Sequence, residues 1–346
     1  MIDRKRVKSG ILNMLKVNIG VKSGEKLLVL TDVPTPQEWQ LKSVEDLSDA
    51  LKRSLLAKTV YEVAKENYPD CEAQFFVYPS VGRHSAYPGK EVEERMKAAN
   101  VVIAINTYSL SHTDARMEAC KVGARVASMP TFLPEMFYPN GPMSVDYYKV
   151  ATETERIAKL LADAKEVEVH NAAGTKLRFS LSNREIHVDT GILTKPGAFG
   201  NLPAGEVYVA PMEGTGNGKI VVGKGWHPNL RRMMTIFFKD GYVTEIVGGG
   251  DVGDHLRRLL NVEEAKEPYK SRRNLAEFGI GTNPRAKRPD NILEAEKIKG
   301  TIHIAIGDNA HFGGKVSADL HQDFVLSNPD VLLDGKLVIK KGKLRI

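Results

Sequence analysis

The spacing of apolar residues changes near residue 165, and the change divides the chain into two textures. Val7, Ile11, Leu12, Leu15 and Ile19 recur at helical intervals and predict an amphipathic helix over residues 1–20. Next, Glu25-Lys-Leu-Leu-Val-Leu-Thr-Asp32 holds four apolar residues in a row and predicts a buried strand, ended by a turn at Pro34 and Pro36. An alanine- and leucine-rich helical pattern covers 50–66, Ala73–Pro79 reads as a second strand, and 91–99 as a helix. The nearly all-apolar run 100–106 predicts a third strand, 124–129 fits a fourth, and 147–164 a long helix leading into the second half. Strands that are apolar on both faces belong in parallel sheets covered by helices, and their alternation with helices implies right-handed crossovers.

Beyond residue 165 the strand-like pieces shorten and glycine turns separate them. Segments 166–170, 177–181, 219–222, 234–238 and 336–340 fit strands, and one main helix is expected near 252–267. Asp240-Gly241 and Asp334-Gly335 are hairpin signals. The expected fold class is therefore α/β. An N-terminal α/β sheet domain (1–165) precedes a β-rich metal-binding domain (166–346), with no internal repeat.

Composition narrows the chemistry. The 346 residues suit two domains at ~150 residues each. Forty-nine basic and 43 acidic residues are interspersed, with only Arg285-Ala-Lys287-Arg288 standing out, so no nucleic-acid partner is expected. Cys71 and Cys120 make no disulfide framework, which fits a reducing cytoplasm, and they exclude a CxxC zinc site. Any metal must be held by His and carboxylates. The N-terminus lacks the apolar core of a signal peptide, and no apolar run reaches ~18 residues, so no membrane span is expected. No GxGxxG follows the first strand, which argues against dinucleotide binding. The hydroxyl-rich stretch 106–114 follows the third strand; it either presents ligand groups there or caps the next helix.

The candidate chemistry lies in the second half. His321 and Asp323, within Ser317–Asp323, are two apart, so on a strand they share a face. His303 stands eighteen residues earlier between Ile302 and Ile304. Glu277 lies among apolar residues and glycines, where a buried carboxylate needs a partner, a proton or a metal. Glu206 sits where a glycine turn enters an apolar strand. Singly, Glu206 reads more readily as a solvated strand-end acid and His303 as a hydrogen-bonded core histidine, while Glu277 reads equally as an exposed loop residue. Together, two Glu, two His and one Asp suit Zn²⁺, Co²⁺, Mn²⁺ or Fe²⁺. Such an ion activates water and polarises a carbonyl, and a nearby carboxylate shuttles the proton.

The blocks 201–211, 277–284, 301–307 and 317–323, in that order, resemble the aminopeptidase T family of metalloaminopeptidases. That resemblance implies two divalent ions, Zn, Co or Mn, held by Glu206, Glu277, His303, His321 and Asp323. It further implies a dimeric cytoplasmic hydrolase, a protease that releases the N-terminal residue of a peptide substrate, with Glu206 or Glu277 relaying the proton. The family is longer and places a tyrosine seven residues after the first metal His. Here that position is Ala310, with His311 beside it as the substitute donor to the oxyanion. A shorter group of similar fold opens dihydroxypyridine rings with a single Fe(II). Its motif puts a His near Glu277 and a smaller residue near His303. A metal-free, inactive relative is a third reading, and metal content separates the three.

Overall fold

The apolar runs of the N-terminal half pair side by side in parallel. In the computed structural model, which describes residues 2–345, the strands line up as Glu72–Pro79, Lys26–Val33, Val101–Ala104, Arg125–Ser128 and Phe199–Asn201. Leu28, Leu30, Val102, Ala104 and Val126 fill a core with Met96 and Val92 from a neighbouring helix. The last strand comes from far along the chain: Val126 pairs with Phe199, and Leu202 N–H donates to the Ser128 carbonyl. One compact unit therefore comprises Met1–Ala151 with Gly191–Ala204, and the other Thr152–Thr190 with Gly205–Ile346. Both differ from a single division at 165, because a returning segment cannot be read from local pattern.

Local chemistry sets the element ends. The first helix, Arg4–Asn13, runs on as a π-helical turn, Met14–Asn18. Where Pro34 and Pro36 predicted only a turn, Pro36–Leu41 is a short helix. Thr35 and Glu38 form a capping box, and proline is tolerated in a first turn. The Val44–Asn67 helix starts earlier than 50 because the Ser43 hydroxyl accepts from Asp46 N–H. In the hydroxyl-rich stretch, Thr113 caps the Asp114–Lys121 helix.

The second unit holds an eight-stranded and a five-stranded sheet. Asp240 and Gly241, like Asp334 and Gly335, both have positive φ, as tight hairpins require. The helix Gly250–Leu260 stops short of 267 because Asn261 turns left-handed, at φ 34°. The five-stranded sheet is antiparallel, in the order His321–Ser327, Thr301–Gly307, Leu275–Gly281, Glu206–Val209 and His187–Asp189. Its apolar face contributes Val207, Phe278, Ile302, Ile304 and Phe324 to one core with Phe179, Ile220 and Ile236 of the larger sheet. Among the described residues, no helix is long and apolar enough to cross a membrane.

Candidate metal centre

The other face of the five-stranded sheet is polar, and strand register assembles it. Cross-strand partners lie side by side on one face. His187 pairs with Tyr208 and Asp189 with Glu206; Tyr208 and Glu206 pair onward with Gly279 and Gly281. Gly279 pairs with His303, Glu277 with Ala305, Ala305 with Asp323, and Gly307 with His321. The five expected ligands therefore share a face. Glu277 reaches it through a β-bulge between Leu275 and Glu277. Leu275 and Phe278 both face the apolar core although three apart, and the extra residue turns Glu277 the other way.

Small residues make room. A Cβ on Gly279 would lie 2.0 Å from His303 Nε2, so only glycine lets the imidazole cross that strand. Ala305 stands between Glu277 and Asp323 in register and leaves the space between the two carboxylates open.

Glu277, His321 and Asp323 each offer a ligand atom, and these atoms all lie within 4.8 Å of one another. His321 Nε2 is 3.3 Å from Glu277 Oε2 and 3.5 Å from Asp323 Oδ2. Its Nδ1–H donates to the Asp308 carbonyl at 2.8 Å, which fixes the ring and leaves Nε2 as the metal-facing atom. Asp323 Oδ1 is buried without a hydrogen-bond partner. A buried anionic oxygen in that state calls for a cation, and imidazole with two carboxylates is a donor set that Fe²⁺, Mn²⁺, Zn²⁺ or Co²⁺ accepts. The residues fit a divalent ion.

Charge balance points the same way. Burial pushes Glu277 up, but hydrogen bonds from His303 and His321 outweigh it and hold the carboxyl well below its ordinary range. Burial likewise raises Asp323, and the His321 charge reverses the shift. Burial lowers His303, yet Glu277 and Glu206 carry it up to about 9. His321 is also raised, against burial, chiefly by Asp323. In the metal-free protein imidazolium charge thus stands in for the charge that an ion would bring, and an ion taken up at His321 Nε2 would displace the proton there.

Not all five expected ligands stand in the triad. His303 lies beside it, with Nε2 3.0 Å from Glu277 Oε1 and 3.6 Å from Glu206 Oε2. Glu206 is drawn elsewhere: its Oε1 accepts from the ammonium of fully buried Lys297 at 2.7 Å, and Lys297 also bonds Glu296 at 2.8 Å. His311, on the turn Ala310–Phe312, has Nδ1 2.6 Å from Asp308 Oδ2 and a half-exposed side chain. Asp308 therefore steadies one imidazole with its carbonyl and another with its carboxylate.

An aromatic group flanks the triad. His187 stacks on Tyr208 at 5.2 Å, Phe312 meets Tyr208 edge-on at 5.7 Å, and Phe312 lies 5.8 Å from the His321 ring. Burial, then the charges of Glu277 and Glu206, raise the Tyr208 hydroxyl and keep it protonated. Sequence reasoning missed Lys297, which sits in a charged run that reads as solvated surface. It also missed Tyr208, although its i+2 spacing from Glu206 was a usable signal.

A family model described as 2,5-dihydroxypyridine 5,6-dioxygenase matches residues 13–346. A curated 2,5-dihydroxypyridine 5,6-dioxygenase from Pseudomonas putida (strain KT2440) is 26% identical over 265 residues, covering 72% of each chain. The solved 2,5-dihydroxypyridine dioxygenase from Pseudomonas putida KT2440 superposes with a TM-score of 0.74 at 19% identity, over 100% of this chain and 98% of that one. Wild-type AmpT (aminopeptidase T) from Thermus thermophilus gives 0.66 at 14% identity, over 99% and 100%. These findings overturn the expected aminopeptidase, hydrolase and protease reading. The sequence matches are to a dioxygenase, an oxidoreductase, while the likeness to the aminopeptidase is one of fold. The physical reason is that ligand residues on shared strands mark the fold and a metal, not the reaction run there.

Proposed function

Because the chain belongs to the 2,5-dihydroxypyridine 5,6-dioxygenase family, we propose that it opens the ring of a dihydroxylated nitrogen heterocycle with molecular oxygen. Glu277, His321 and Asp323 would hold the ferrous ion that this chemistry uses. The observation that carries the reading is the triad itself, with His321 Nε2 turned to two buried carboxylates by the Asp308 carbonyl. A ferrous ion there would supply the one-electron chemistry by which oxygen reacts with an aromatic ring.

The chain's own residues divide the remaining work. His303 holds Glu277 through a 3.0 Å hydrogen bond and so fixes one ligand oxygen. Tyr208, Phe312 and His187 offer flat apolar faces beside His321, which suits a planar ring stacked or edge-on at ~4.5–7 Å. The side chain of His321 is 32% exposed, which leaves the triad an open side for substrate. The His311–Asp308 pair is the candidate for taking a proton from a ring hydroxyl, since its carboxylate orients the imidazole as a general base needs.

The test is anaerobic loading with Fe(II), followed by oxygen uptake and loss of ring absorbance with 2,5-dihydroxypyridine and with other dihydroxylated pyridines. Stoichiometric oxygen consumption that is lost in His321→Ala supports the reading. An iron-loaded protein that consumes no oxygen with any of them overturns it.

A further inference from the structure

We propose that Lys297 is the site's built-in second cation: it claims Glu206, and the centre therefore takes one divalent ion and not two. The inference rests on the reading that Glu277, His321 and Asp323 hold a metal.

Three observations carry it. First, Lys297 has no exposed side-chain surface, and a buried ammonium persists only when paired; its partners are Glu206 Oε1 at 2.7 Å and Glu296 Oε2 at 2.8 Å. Second, the donors for another ion are otherwise at hand. Glu206 Oε2 is buried without a hydrogen-bond partner, 3.6 Å from His303 Nε2, which in turn reaches Glu277 Oε1 at 3.0 Å. Third, despite this, Glu206 and His303 fall outside the one group of ligand atoms gathered within 4.8 Å among the described residues. The ammonium explains the difference. It holds one oxygen of Glu206, and a divalent ion on the same carboxylate would stand beside a fully buried positive charge, where like-charge repulsion is weakly screened. The fold that supplies five ligand-type residues thus spends one of them on a lysine.

Metal counting on the intact chain tests this without reference to turnover. Metal-free protein is loaded with excess Fe(II) under anaerobic conditions, or with Co(II) in air, desalted, and analysed for metal per chain by plasma mass spectrometry. The wild type is expected to hold one ion, Lys297→Arg one, and Lys297→Gln two, because Glu206 is released. Glu206→Gln should stay at one. Two ions in the wild type, one ion in a folded Lys297→Gln, or a fall below one in Glu206→Gln would each overturn the proposal. Should Lys297→Gln fail to fold, the wild-type and Glu206→Gln counts decide it. A wild type that retains no ion at all sinks the underlying metal reading instead, an outcome distinct from the other three.

Discussion

Replacing Gly279 by alanine adds one methyl group at the point where the sheet is least able to accept it. The new Cβ would lie 2.0 Å from His303 Nε2 and 2.1 Å from Cε1. Ordinary contact begins near 3.4 Å, so the imidazole must retreat by ~1.4 Å. His303 is fully buried and its Nε2 is tied to Glu277 by a 3.0 Å hydrogen bond, so retreat both strains the packing and breaks the bond. Overpacking costs ~1–3 kcal/mol. Leaving a buried carboxylate short of its partner costs ~1–3 kcal/mol more. Against these stands a gain of ~0.5–1 kcal/mol for Gly→Ala in a strand with no strain. The net expectation is a loss of about 1–5.5 kcal/mol, read by urea denaturation of chelator-treated protein so that metal binding does not mask it. His303→Ala should then rescue Gly279→Ala, with a coupling of at least ~1 kcal/mol in the double-mutant cycle, because the space is freed. If Gly279→Ala stays within ~0.5 kcal/mol of wild type, the imidazole is not where the close approach requires it, and the geometry of the whole polar face is wrong.

Other consequences follow from the same face. Ala305→Val places two methyl groups between Glu277 and Asp323 and should weaken metal affinity at least tenfold, ~1.4 kcal/mol by titration, while circular dichroism stays native. Chelation should lower the thermal midpoint and re-addition of metal should restore it, since an ion at a thousand times its Kd adds ~4.1 kcal/mol; a midpoint indifferent to metal argues against the site. His227 gives a pH signature in the second unit. Burial depresses its pKa, and the ring is neutral, donating Nδ1–H to the Pro228 carbonyl and accepting from Gln322 at Nε2. An unfolded histidine takes up a proton near pH ~6.5, so the folded state loses stability as pH falls below that value towards the depressed one. His227→Gln should flatten that part of the stability–pH curve, and an unchanged slope refutes the assignment.

The sequence disclosed more of the ligands than of their arrangement. His321 and Asp323 were legible because a period of two needs no knowledge of partners, and the alternation of strand and helix before residue 165 was legible for the same reason. Lys297 was not. Its neighbours Glu294, Glu296 and Lys299 make a run that looks solvated, yet the short helix Ile292–Ala295 turns it fully inward. Nor was the return of Phe199–Asn201 to the first sheet, since pairing with Arg125–Ser128 spans more than seventy residues and leaves no local trace. The reaction was misread for a further reason. Ligand residues repeat wherever the fold holds a metal, whereas aromatic neighbours such as Tyr208 and Phe312, proposed above to face a substrate ring, carry no motif of their own.

The bulge at Leu275–Glu277 sets the final expectation, because deleting Ala276 asks whether Glu277 needs it. The extra residue lets Leu275 face the core and Glu277 the ligands although the two are two apart. Without it they become neighbours, and plain strand alternation puts neighbours on opposite faces. Leu275 can then stay opposite Ile306 and Glu277 opposite Ala305, with no residue between. What is lost is the fully buried methyl of Ala276, ~0.8 kcal/mol. The deletion variant should therefore stay within ~1–2 kcal/mol of wild type and still bind its metal through Glu277, His321 and Asp323. A folded deletion variant that no longer binds metal would mean that the bulge, and not the alternation of the strand, aims this carboxylate.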